Sequence, residues 1–352
     1  MKNKIIKTIS LFISSLFLSL PLISSSCWFS NKATSKFVLQ DMSQNPVSIY
    51  KKPEKIACQS RSAFDMLLAF GLKDKIDGIY NKTLGNKWLT TFFKDEIKNY
   101  YPYSYNETIE TYFSRKVDLV IVFEESIKKN LLDKKIDAIT INQYDQGKFN
   151  EESLYVFPKL LANLFEGKTK ELAKKWIDET KQLLAEIKSK IANLSFDKKM
   201  FYLRSDQQKK QIRTESSGSL LNFIFKFLHF SASEITNDKP SEEEFIKVNP
   251  DYLLLGGQYQ DYMKDWVNKD PKFSSLNFAK NNSFINIPIG VSAFEQLSVE
   301  TPILIAHLAN VAYPSLFNFD IKQMIKDCYK TYFNFDLTNE QIDLIYNGKT
   351  EN

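Results

Sequence analysis

Arginine is scarce in this chain, so each one is worth locating. Of 47 Lys and Arg residues among 352, only Arg61, Arg115, Arg204 and Arg213 are arginine. Each offers a planar fork of donors that fits carboxylate or hydroxamate oxygens in a way lysine does not. The two histidines, His229 and His307, and the three cysteines, Cys27, Cys58 and Cys328, fall in no CxxC, HxxxH or HExxH spacing. A Cys/His zinc centre is therefore poorly supported, and three cysteines make no disulfide framework for a chain this long. His307 in LIAHLANVA sits among apolar residues and reads as a packed side chain, as does His229. Cys58 and Cys328 read as small buried hydrophobes. No GxxxxGK[ST], GxGxxG or GxSxG occurs, so nucleotide binding and serine hydrolysis lack their signatures. No nucleophile–base pair emerges either, and neither an enzyme nor a bound cofactor is expected.

One spacing recurs. Glu110 stands eight residues before Asp118 in ETYFSRKVDLVIVF, and Glu243 eight before Asp251 in EEFIKVNPDYLLLGG. Both read as Glu, a one-helix spacer, Asp and a strand. First-turn glutamates are also favoured by the helix dipole. Ser241 with Glu244 forms a capping box, which accounts for Glu244 but not for Glu243.

The net charge is +5. Lys2, Lys4 and Lys7 supply more than half of it, and the rest of the chain is nearly balanced, which argues against a nucleic-acid partner. A hydrophobic fraction of 43% excludes wholesale disorder.

Residues 1–7 are basic, residues 9–23 are apolar, and Ser24, Ser25 and Ser26 precede Cys27. This is the order of an export signal, too short for a comfortable membrane span. A small-residue run ending in Cys resembles a bacterial lipobox, although Ser24 stands where Leu is usual. Residues 1–27 are thus expected to be a signal peptide ending at a lipidated Cys27, with an uncleaved signal-anchor or simple secretion as alternatives. Residues 28–45 are polar and read as a flexible tether.

Strands are expected at 55–58, 76–80, 117–123 and 136–142, then at 199–204, 251–257 and 283–290. Helices are expected after Ser62 and over 216–229, 241–248 and 297–311. Alternating strands and helices predict an α/β fold with mainly parallel sheets. The chain divides into an N-terminal lobe (46–157), a connecting helix (158–194) and a C-terminal lobe with a helical tail (195–348). In the connector, Pro158 suits a first turn and Gly167 a break. Leu172, Trp176, Leu183, Leu184, Ile187 and Ile191 fall at helical spacing, enough for one long rigid strut.

Four passages now carry a resemblance: SRSAFDMLLAFGLKDKIDGIY (60–80), ETYFSRKVDLVIVF (110–123), SEEEFIKVNPDYLLL (241–255) and YPSLFNFDIKQMIKDCYKTYFNFDLTNEQIDLIYNG (313–348). Their order and spacing resemble the solute-binding lipoproteins of bacterial ABC importers for iron-siderophore, haem and cobalamin. The chain departs from that pattern at Val117, where Pro is usual, and in the turn Gln59-Ser60-Arg61. The resemblance implies two α/β lobes joined by a rigid helix, with ligand between them, and a permease dimer as partner. It also implies that Glu110 and Glu243, one on each lobe, meet basic residues of the two permease subunits.

In open parallel sheets, ligands meet the carboxyl ends of the strands. Those ends carry Gln59, Arg61, Tyr80, Glu124, Tyr144, Arg204, Gly257, Tyr259 and Phe294. Trp88 and the Tyr100, Tyr101, Tyr103, Tyr105 group lie in expected loops, and the 205–215 loop adds Lys209, Lys210 and Arg213. The expected contacts are Arg61, Tyr80, Trp88, Tyr202, Arg204, Arg213, Tyr259 and Phe294, with aromatic rings on the faces of a chelate and Arg204 the strongest single contact. Tyr80 and Phe294 have an equal claim as packing at the core edge.

The expected function is capture of a metal chelate by a monomeric, lipid-anchored receptor on the outer face of the cell membrane. No protein metal ligand is expected. A nickel- or cobalt-chelate receptor of the same fold, or a ligand-free surface adhesin, are the alternatives.

Overall fold

The computed structural model describes residues 37–142, 148–204, 208–215, 217–231 and 237–351. The β-branched runs form strands as their composition demands. The first lobe carries β3 (Ile56–Cys58), β4 (Ile76–Tyr80), β5 (Tyr101–Tyr103), β6 (Leu119–Val122) and β7 (Ala138–Thr140) in one parallel sheet of order β5-β4-β3-β6-β7. The order reverses between β3 and β6, the kind of switch point at which a crevice opens. The helices of this lobe are α1 (Arg61–Ala69), α2 (Lys87–Phe92), α3 (Lys94–Ile97), α4 (Ile109–Arg115) and α5 (Glu125–Asp133).

The second lobe has a smaller parallel sheet of order β10-β9-β8, from β8 (Met200–Arg204), β9 (Tyr252–Gly256) and β10 (Phe284–Asn286). The two lobes therefore share a scheme but not a strand count.

Two helices separate the sheets where one was expected to start at Pro158. α6 (Glu151–Leu164) begins seven residues before that proline, at an Asn150 capping box, and Pro158 lies inside it. α7 (Lys168–Ile191) follows Gly167, whose φ of 64° breaks the run. The 24 residues of α7 span about 36 Å. Its buried face, with Ala173, Trp176, Leu184, Ile187 and Ile191, packs on both lobes. The later helices are α8 (Leu220–Phe227), α9 (Glu242–Val248), α10 (Gln260–Lys269), α11 (Asn277–Lys280), α12 (Thr301–Ala312), α13 (Ile321–Cys328) and α14 (Asn339–Tyr346), with a π-helical turn at Tyr329–Phe333.

The polar stretch expected as a tether to residue 45 is ordered earlier. β1 (Phe37–Gln40) pairs antiparallel with β2 (Pro46–Ile49). What fixes this hairpin is a buried ion pair, Lys128 Nζ to Asp41 Oδ2 at 2.8 Å, which the sequence pattern does not announce. Cys27 lies outside the described residues.

One hydrophobic cluster runs without interruption through both lobes. It joins Ile56 and Phe64 of the first to Met200, Tyr202 and Leu254 of the second through α7 and α12. Among the described residues, no helix is long and apolar enough to cross a membrane.

Candidate functional site

Residues that follow strands of both sheets line a cavity of about 580 Å³. From the first lobe come Arg61, the first residue of α1, and Asn86 and Lys87 at the start of α2. From the second come Arg204, the last residue of β8, then Gly257, Tyr259, Gln260 and Asp261 after β9, and Glu295 and Gln296 in the loop before α12. Residues 347–350, after α14, complete the wall. Arg61, Lys87, Arg204 and Lys349 outnumber Asp261 and Glu295, so the lining favours an anion.

Arg204 is held at the strand end. Its backbone N–H donates to the Arg213 carbonyl at 2.9 Å, and its Nη1 lies 3.5 Å from Glu215 Oε1. Arg61 Nη2 makes a long bond to the Lys82 carbonyl, 3.4 Å. Behind Arg204, the Tyr202 hydroxyl donates to Glu295 Oε1 at 3.1 Å, and the Gly257 N–H reaches the same oxygen at 3.4 Å. Burial pushes the Glu295 carboxyl above the usual range, while Arg204, Tyr202 and Gly257 draw it back. Gln260 is oriented by its Nε2 donating to the Ile287 carbonyl at 2.9 Å.

The structure brings Arg61, Arg204 and Tyr259 to the cavity and leaves the other expected contacts out of its lining. Trp88 is fully buried, stacked on Phe92 with ring centroids 5.3 Å apart, and its Nε1 donates to the Lys349 carbonyl at 2.9 Å. Phe294 is fully buried in the shared core, although Ala293 and Glu295 on either side of it line the cavity. Tyr202 is buried as well: two residues before Arg204 it shares that residue's face of β8, but it lies beneath the wall with its hydroxyl engaged by Glu295. Tyr80 ends β4 and meets Tyr105 edge-on, while Tyr105 bonds Glu124. Arg213 supports Arg204 through its carbonyl. Lys209 and Lys210 are exposed, and Tyr144 lies outside the described residues. The cavity wall is thus polar and cationic, and most of the aromatic area expected there is spent on the core.

The fourth arginine is structural. Arg115 binds Asp77 through two bonds of 2.6 and 2.8 Å and lies 4.3 Å from the Tyr101 ring centroid. Burial alone would raise the Asp77 carboxyl, but the bonds from Arg115, Tyr103 and Lys55 hold it below its ordinary value. His307 is pushed down to about 4 by burial and packs edge-on against Tyr346. His229 Nδ1 lies 2.9 Å from the Leu194 carbonyl.

The seam between lobes lies beside the cavity. Asn86 Nδ2 donates to the Gly290 and Val291 carbonyls at 3.1 and 2.9 Å. Val299 is a knot: its N–H donates to Asp65 Oδ1 of α1 at 3.0 Å, and its carbonyl accepts from Trp176 Nε1 of α7 at 3.0 Å. Next to it, Glu300 accepts from the Tyr329 hydroxyl at 2.6 Å and the Ser292 N–H at 2.9 Å.

The recurring Glu–Asp spacing has a structural meaning. Glu110 and Glu243 are each the second residue of a seven-residue helix, capped by Thr108 and Ser241. Both are exposed. Each helix ends on a left-handed residue, Lys116 or Asn249, before the Asp. The Asp118 N–H then donates to the Lys55 carbonyl at 2.8 Å, and the Asp251 N–H to the Lys199 carbonyl at 2.8 Å. Their carboxylates accept backbone N–H groups of the same neighbours, Asp118 from Lys55 at 3.1 Å and Asp251 from Lys199 at 2.9 Å. Each Asp therefore staples the start of one central strand to the start of the next.

Residues such as Asn86, Lys87, Gln260, Glu295 and Lys349 escape a reading based on strand ends and aromatics. Glu295 alone carries a signal, as a lone carboxylate in the otherwise uncharged run GVSAFEQLSV.

A model of the periplasmic binding protein family matches residues 105–289. The chain belongs to that family. The match takes in the sheet of the second lobe and part of the first, and leaves Arg61, Lys87, Glu295 and Lys349 outside it. This periplasmic binding protein is 24% identical over 259 residues to an uncharacterized ABC transporter substrate-binding lipoprotein, YvrC, of Bacillus subtilis, covering 71% of this chain and 77% of that one. Among solved structures it is similar to MolA of Haemophilus influenzae bound to molybdate, with a TM-score of 0.71 at 16% identity, over 86% of this chain and 99% of that one. It is also similar to CeuE of Helicobacter pylori in a Ni-His complex, with a TM-score of 0.67 at 17% identity, over 88% and 98% of the two chains. At such identities the likeness concerns the fold.

Proposed function

We propose that this solute-binding protein captures an anionic or polar metal chelate in the interlobe cavity and delivers it to an ABC permease dimer. One observation carries the reading: each lobe contributes two cations to the same cavity, Arg61 and Lys87 from the first, Arg204 and Lys349 from the second. A ligand that satisfies both pairs bridges the lobes, and guanidinium forks suit the oxygens of carboxylate, hydroxamate or oxyanion groups. The molybdate and Ni-His complexes of the two structural neighbours are small polar cargoes of the kind such a wall admits. The mature protein sits outside the cytoplasm, tethered by lipid on Cys27, and meets the permease through Glu110 and Glu243.

Native mass spectrometry with metal analysis, on protein purified from its own source, tests the cargo. One chelate per chain is expected. Titration of emptied protein with ferric siderophores, haem, cobalamin and nickel–histidine then ranks the candidates. Tight binding of a bare metal ion, or a protein that carries nothing and binds none of these, overturns the reading.

A further inference from the structure

The segment after α14 is fixed against the cavity by both lobes. The helix closes in a left-handed turn at Gly348, φ 67°, where the Gly348 N–H donates to the Ile345 carbonyl at 3.0 Å and the Lys349 N–H to the Leu344 carbonyl at 2.8 Å. A Cβ at Gly348 would lie 2.6 Å from both Gln260 Nε2 and the Ile287 oxygen, so the turn is seated with no room to spare. Asn286 Nδ2 of the second lobe donates to the Asn347 carbonyl at 3.1 Å, and the buried Trp88 indole of the first lobe donates to the Lys349 carbonyl at 2.9 Å. The backbone that carries the Lys349 side chain is therefore held in place.

The Lys349 ammonium lies 3.3 Å from Asp261 Oδ2, and both residues line the cavity. Their side chains are 50% and 69% exposed. An exposed pair at that distance binds weakly and exchanges readily for another anion. Neither Gln260 nor Tyr259 beside it supplies positive charge, so on this side of the cavity an incoming anion meets Lys349.

We propose that Lys349 is a ligand-contacting residue that selects for charge, its ammonium shared between Asp261 and an anionic oxygen of the solute. The inference rests on the cavity being the solute site. It adds a specificity residue outside the span matched by the family and gives the ligand an anionic group on the α10 side.

The test compares wild type with Lys349→Gln, Lys349→Arg and Asp261→Asn by calorimetric titration with ferric citrate, a ferric tricatecholate and haem. The same four proteins are purified from source cells and their cargo measured by native mass spectrometry. Lys349→Gln is expected to weaken the best anionic probe roughly tenfold or more and to lower cargo loading. Lys349→Arg should keep most of the affinity, and Asp261→Asn should gain some, because the ammonium is then free for the ligand. Melting temperatures should not differ, since the pair is exposed. Wild-type affinity and loading in Lys349→Gln overturn the assignment while leaving the cavity as the solute site. A wild type that carries no cargo and binds no probe overturns both.

Discussion

Asp65 on α1 and Val299, 234 residues later, are joined by a 3.0 Å hydrogen bond in which the Val299 N–H donates to a fully buried carboxyl. Burial pushes the Asp65 carboxyl up to about 7, against the pull of that N–H. Glu300 is pushed well above the carboxylate range, first by its own burial and then by Asp65. An unfolded aspartate titrates near 3.9, so the folded protein holds this proton more tightly than the unfolded chain does. The resulting stability is complete below about pH 4 and is lost as the pH rises through about 7. Thermal melts between pH 5 and 8 should therefore fall more steeply for wild type than for Asp65→Asn, which keeps the Oδ1 acceptor and cannot ionise. Parallel slopes would count against a protonated Asp65.

Arg204→Ala should weaken the tightest-binding probe of the chelate panel by about 1.5–3 kcal/mol, the loss of a charge-assisted hydrogen bond. Arg213→Ala should cost less, because its carbonyl, which the substitution preserves, is what steadies Arg204. Isothermal titration of both variants decides, and equal losses would move Arg213 into the site.

Glu110 and Glu243 stand at matched positions of matched helices, one on each lobe. Exchanging both for Ala should abolish most uptake in cells while leaving chelate affinity in solution unchanged. Uptake that survives the double exchange would reduce them to first-turn helix residues.

For the anchor, the mature protein should begin at Cys27 and partition into detergent, and Cys27→Ser should release it. An N-terminus elsewhere, read by mass spectrometry, would refute lipidation.

Gly256 ends β9 where a Cβ would stand 2.5 Å from the Tyr202 ring and 2.9 Å from Glu295 Oε1. Gly256→Ala should cost about 1–3 kcal/mol in denaturant unfolding and also weaken ligand binding, since it displaces the pair beneath Arg204. A variant as stable as wild type would mean that Tyr202 yields without strain.

The strands were legible wherever composition and burial agree. Leu119–Val122 and Tyr252–Gly256 are continuous apolar runs because helices cover both faces of a parallel sheet. β5 was hidden because Tyr101-Pro102-Tyr103 looks like a loop, and it is an edge strand, where proline is tolerated. Pro158 misled because its first-turn preference is only a preference: the Asn150 cap and the buried face of α6 outweigh the lost bond. In the site, the scarcity of arginine singles out Arg61 and Arg204, and both line the cavity. The aromatics did not follow, because a large ring gains as much from the core as from a ligand, and Trp88, Tyr202 and Phe294 are in the core. The cations and amides of 86–87, 260 and 347–350 reach the cavity through packing of α2, α10 and α14, which no local pattern encodes.

The uninterrupted core that runs from Ile56 and Phe64 to Met200 and Leu254 sets how such a protein can acquire new cargo. A chimaera that exchanges a whole lobe with a relative must match two halves of one packed interior, and interiors tolerate little misfit. Exchange of exposed side chains on the cavity wall, such as Lys87, Asp261 and Lys349, leaves that interior untouched. Diversification here is cheap at the rim and expensive at the seam, so a redesign of specificity should begin with Lys87, Asp261 and Lys349 rather than with the joint between the halves.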